Sequence, residues 1–184
     1  MLKKCDNTLR EFKGYERHEA VIAVNDLDFK IKYKNNCINC PEYGKNLSCP
    51  PYSPSFKDFV GSRKMAKVIC FRTPLDYFDH LPKEKRARMA YDEMSSLLGE
   101  ILMKERSQGK LVAGAGACKA CRDCPIEKEG MICIKPEKQI FSLESLGVNL
   151  SSLIEMCFPF KLEWIESQYA ARHICAVGAC FFDG

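Results

Sequence analysis

Cys118-Lys119-Ala120-Cys121-Arg122-Asp123-Cys124 decides how this chain is read. Three cysteines stand at two-residue gaps, Cys133 follows, and Pro136 comes three positions after it. Spacing this tight lets one short loop turn three thiolates toward one metal centre, as in ferredoxin-type iron–sulfur sites. Tetrahedral zinc more often draws its thiolates from separate C-x2-C pairs. The stretch therefore points to a [4Fe–4S] cluster, with zinc as the alternative. It also sets an irregular metal-binding loop at about 114–136. The eight-residue gap between Cys124 and Cys133 exceeds the three-residue gap of bacterial ferredoxins, so Cys133 closes this cluster or ligates a second one. Gly114, Gly116 and Gly130 allow close backbone approach to a cofactor, and Lys119 and Arg122 offset the negative charge of a thiolate-bound cluster.

A second ligand set lies upstream, at Cys37-x2-Cys40-x8-Cys49, in a turn-rich loop at about 35–55. Pro50 and Pro51 keep that loop out of helix. Its fourth ligand is not evident. Cys175 and Cys180 are the candidates, and the alternatives are that both pack in a strand or that one iron stays open. The motif cysteines number one fewer than two cubanes need, so the expected content is one or two clusters. Cys70 and Cys157 read as buried core and Cys5 as an isolated terminal residue. His18, His80 and His173 carry no ligand motif.

Outward from the loops, the periodicity predicts an α+β fold, a mostly antiparallel sheet with one long helix, as a single unit over 1–184. Residues 1–18 read as a short helical or frayed lead. Val21–Val24 and the alternating Leu27–Tyr33 read as two strands joined at Asn25-Asp26. Ser55 caps a short helix to Arg63, and 67–72 is a buried strand. Pro82 opens a helix to about Gln108, with Met89, Met94, Leu97, Leu98, Ile101 and Leu102 on one face and Gly109 at its end. A short strand at 111–113 enters the cysteine loop, a turn at 142–146 closes at Gly147, and Asn149 or Ser151 caps a helix to Met156. Lys161–Gln168 and Arg172–Phe182 read as the last strands.

Composition narrows the function. The chain has 184 residues, 46% of them hydrophobic, which suffices for a core. Twelve cysteines without a visible signal peptide point to reduced thiols in the cytoplasm, hence ligands rather than disulfides. A net charge of +4 is too mild to argue for nucleic acid, and no apolar run is long enough for a membrane span. Gly114-Ala115-Gly116 lacks the residues of a phosphate loop, and no nucleophile triad is evident.

Two blocks resemble DUF2284, a prokaryotic family of predicted metal-binding proteins. One runs from Cys37-Ile-Asn-Cys40-Pro-Glu-Tyr43-Gly44 to Ser48-Cys49-Pro50-Pro51 and Pro54. The other spans Gly114-Ala-Gly116-Ala-Cys118 through Cys121, Cys124, Gly130, Cys133 and Pro136 to Ser142-Leu-Glu144 and Gly147. Ile134 stands where that family often has arginine. The resemblance implies metal binding and names no reaction. The expected function is electron transfer to a partner redox enzyme. The alternatives are a cluster-dependent enzyme or metallocofactor maturation factor with an open iron, and a structural zinc module.

Overall fold

The computed structural model describes residues 7–12, 15–126, 132–164 and 171–184. In chain order these form strands β1 (Asn7–Phe12) and β2 (Tyr15–Ala23), helix α1 (Phe56–Val60), strand β3 (Met65–Pro74) and helix α2 (Lys83–Ser107). Strands β4 (Leu111–Gly114) and β5 (Phe141–Ser142), helix α3 (Leu150–Cys157) and strand β6 (His173–Phe182) complete them. The strands make one six-stranded sheet in the order β1-β2-β3-β6-β4-β5. All pairs are antiparallel except β4 with β5. The expected α+β class, with its one long helix and cysteine-rich loops, is the class observed.

Strands β3 and β6 lie at the centre because both are apolar on both faces. In β3, Val68 and Cys70 face a core shared with α1 and α3, while Ile69 and Phe71 face the core built on α2. In β6, Cys175, Val177, Ala179 and Phe181 take the first face, and Ile174, Ala176 and Cys180 take the second. Each fully buried side chain of the size of Phe71 or Phe181 adds about 1.5–3 kcal/mol. Helix α2 buries Ala87, Ala90, Met94, Leu98 and Leu102, one stripe at helical spacing. Gly178 lets β6 approach closely: a Cβ there would stand 2.8 Å from the Ala113 carbonyl and 3.0 Å from Leu102 Cδ1.

Several local expectations fail. Residues 7–12 form strand β1, paired to β2 in a hairpin, not a helical lead. Leu27–Tyr33 is not a strand. Its alternation ends in exposed Ile31, and the segment makes only an isolated bridge, Phe29 to Val148, before a 3-10 helix over Ile31–Cys37. The backbone there is tied instead to the turn before α3, through Lys30 N–H to Gly147 O (2.9 Å) and Asn149 N–H to Asp28 O (2.8 Å). Met89 is exposed on the far side of α2. Residues 161–164 carry no regular structure, and the rest of that expected strand lies outside the described residues, as do Cys5 and Gly130. The caps hold: Ser55 Oγ accepts from Asp58 N–H (3.2 Å) and Asn149 Oδ1 from Ser152 N–H (3.2 Å).

Candidate metal centre

The first cysteine loop is a chain of tight turns. Cys37 ends the 3-10 helix, Cys40 N–H donates to Cys37 O (2.9 Å), and Cys49 N–H donates to Asn46 O (2.9 Å). Gly44, at φ +69°, lets the loop fold back so that its N–H meets Pro50 O at 2.9 Å. Outside contacts pin the loop. Lys34 Nζ donates to Ser53 O (2.6 Å) and Pro54 O (3.1 Å), and Ser53 Oγ donates to Ser145 O (2.6 Å).

Cys37, Cys40 and Cys49 line one cavity of about 510 Å³. Its other walls come from Tyr91 on α2, Gly116 and Ala117 after β4, the Ser142–Ser145 turn, and the start of α3. Burial pushes the Cys37 thiol up to about 11, helped by the charges of Glu144 and Cys40 and opposed by Lys34. Burial likewise pushes Cys49 up to about 12, with Cys40, Glu42, Cys37 and Cys118 adding to it. These thiols hold their protons at neutral pH unless a cation replaces them.

Two residues in this cavity are not read as site residues from the sequence, although Glu144 falls in the second family block. Glu144 Oε2 is closed off from solvent and has no hydrogen-bond partner, although the residue as a whole is only partly buried. Burial raises its carboxyl above the usual range, against its own backbone N–H and Ser142. The signal was a lone acid between Leu143 and Leu146, both buried. Tyr91, whose phenol burial also raises, crowds Gly116: a Cβ there would stand 2.9 Å from the Tyr91 hydroxyl. Gly116, at φ +69°, therefore serves this wall, while a Cβ at Gly114 would stand 2.9 Å from Ile140 Cγ2.

The second loop leaves the sheet at β4, which lies between β6 and the short edge strand β5. Cys118, Cys121, Cys124 and Cys133 surround a gap of about 20 Å³, closed by Asn46, Leu47 and Ser48 of the first loop. That is little more than the space of one water. The contacts across it are specific. Leu47 N–H donates to Cys124 Sγ (3.3 Å), and Asn46 Nδ2 donates to the Cys118 carbonyl (3.0 Å) while its Oδ1 accepts from Ser48 N–H (3.0 Å). Lys119 is engaged by Asp92 (3.1 Å), and Arg106 holds the returning chain through the carbonyls of Glu137 (2.9 Å) and Gln139 (2.6 Å). Among the described residues, no three His, Cys, Asp or Glu side chains gather into a group that holds a metal ion as they stand.

Cys175 and Cys180 join neither set. Five positions apart on β6, they fall on opposite faces of the sheet. Cys180 is fully buried against α2, and burial pushes its thiol up to about 12. Cys175 lines a neighbouring cavity of about 320 Å³, which shares Tyr91, Glu144 and Trp164 with the first, and it pairs with buried Cys70, raising that thiol. Cys157 is buried, as read. His173 Nδ1 meets Glu163 Oε1 at 3.1 Å, and His18 packs against the stacked rings of Phe158 and Phe160.

The structure is thus that of an α+β protein with two neighbouring cysteine-lined sites. The chain belongs to the family DUF2284, described as a predicted metal-binding protein, whose model matches residues 20–178. No curated protein and no solved structure matches it.

Proposed function

We propose that this metal-binding protein is an iron–sulfur protein that passes electrons to a partner redox enzyme in the cytoplasm. In this reading Cys118, Cys121, Cys124 and Cys133 hold one [4Fe–4S] cluster, and Cys37, Cys40 and Cys49 hold three irons of a second. The observation that carries it is the Leu47 N–H on Cys124 Sγ, flanked by Asn46 on Cys118. An amide directed at a ligand sulfur is the contact that tunes cluster potentials, and here it is given by the other cysteine loop. The two sites are lined by chain neighbours, Ser48 beside Cys49 and Cys118 beside Ala117, which suits a one-electron relay. Among the described residues no helix is long and apolar enough to cross a membrane.

A cluster-dependent enzyme is the second reading, and the first cavity favours it. A volume of about 510 Å³ lies in the range of small-molecule sites, and among the described residues three cysteines line it. The bound group would supply one-electron chemistry. Tyr91 and Glu144 would orient a small polar molecule beside it, and Trp164 would shield it.

The deciding experiment is the count of iron, acid-labile sulfide and zinc per chain after anaerobic purification. Iron with matching sulfide is expected, in a brown protein. Zinc without sulfide would overturn both readings in favour of a structural zinc module, which the narrow gap of the second loop would suit.

A further inference from the structure

We propose that Glu144 supplies the fourth ligand to the metal centre of Cys37, Cys40 and Cys49, through a carboxylate oxygen on the wall of their shared cavity. The kind of metal rests on the iron–sulfur reading above, and the ligand rests on the geometry of Glu144 itself.

Glu144 sits in a hydrogen-bonded turn. Leu146 N–H meets Ser142 O (3.2 Å) and Gly147 N–H meets Glu144 O (3.0 Å). Gly147 stands at φ +90°, and a Cβ there would lie 2.8 Å from Lys30 O, so only glycine closes this turn. Leu143 and Leu146 fill the core, and Glu144 lines the cavity with the three cysteines. Its Oε2 has neither solvent nor a hydrogen-bond partner. Leaving such an oxygen unpaired is costly, and a bound cation removes that cost. Glu42 lines the same cavity but is exposed to solvent, so it shows no such need. Neither Cys175 nor Cys180 lines this cavity.

A carboxylate oxygen is harder than a thiolate and a weaker match for cluster iron. The Glu144 carboxylate is therefore the ligand that an incoming molecule would displace most readily from its iron. Three thiolates and one carboxylate make the first centre exchangeable, while four thiolates close the second.

The test uses the full chain, reconstituted anaerobically with iron-57 and sulfide, as wild type, E144Q and E144C. Mössbauer spectra, iron and sulfide counts, and EPR after mild oxidation are read on each. The wild type is expected to show one oxygen-ligated iron per chain. E144Q should lose that component and yield the EPR signal of a [3Fe–4S] cluster on oxidation. E144C should convert the component to sulfur ligation and resist that oxidation. The second cluster, unchanged in all three, reports that each variant folds. If both clusters load but the spectra of E144Q and E144C match the wild type, the Glu144 assignment is overturned and the cluster reading stands. Zinc in place of iron, with one zinc lost in E144Q, sinks the cluster reading and keeps Glu144 as a ligand. An absence of metal in the wild type overturns both.

Discussion

The two cysteine loops offer the same ligand chemistry in opposite surroundings. The first is pinned by Lys34, Ser53 and its own turns, and it opens on a cavity of about 510 Å³. The second hangs off strand β4 around a gap of about 20 Å³, and it leans on the first through Asn46 and Leu47. The anchored loop has room and one cysteine too few. The leaning loop has a full set of cysteines and little room. Rigidity and exchangeability thus fall on one side, and closure by thiolates on the other.

The strongest way to break this comparison is to remove one loop's thiolate at a time. C49S should lose the first centre and C121S the second, each with about half of the iron and sulfide of the wild type. Loss of all metal from either variant would mean a single shared centre.

Next in size is L102A, which tests whether the core under α2 is independent of both loops. Leu102 is fully buried there. The substitution should cost about 2–5 kcal/mol in denaturant unfolding, with metal per folded chain unchanged. N46A sharpens the contact between the loops. It removes the bonds to the Cys118 carbonyl and from Ser48 N–H, at about 1–3 kcal/mol. A chelator should then strip the second centre faster and the first at its usual rate.

Proton linkage separates the loops again. Cys37 and Cys49 are pushed up to about 11 and 12, chiefly by burial, from the ordinary 9.0. Above about pH 9 the unfolded chain gives up these protons and the folded, metal-free chain keeps them, so stability falls as pH rises toward the folded values. Metal loading removes these protons beforehand, so the loaded protein should lose only the shares of buried groups outside the first loop, Cys70 and Cys180 among them. Unfolding midpoints at about pH 8 and about pH 10, with and without metal, read the difference. The smallest effect is that of C180A, roughly 1 kcal/mol for one small buried group, with no change in metal content.

Legibility in the sequence followed the range of the interaction. Helix α2 was readable because its stripe repeats every turn and Pro82 and Gly109 bound it. The central strands were readable because both of their faces are apolar. Leu27–Tyr33 imitates a strand, but no neighbouring strand is left to pair with it, and the turn at Gly147 takes its hydrogen bonds instead. The N-terminal hairpin was missed because charged residues on an edge strand leave no apolar period. Cys175 and Cys180 were weighed as candidates for one site, yet in a strand an odd spacing places them on opposite faces.

By itself the sequence determined the two cysteine loops, the long helix and the mixed class, since cysteine spacing and hydrophobic period are local properties. Only the tertiary structure decided which distant side chains share a space. It brought Leu47 N–H onto Cys124 Sγ, and Tyr91 and Glu144 into the cavity of the first three cysteines. Those meetings depend on strand order and on how α2 and the turn after β5 pack over the sheet, which no local spacing encodes.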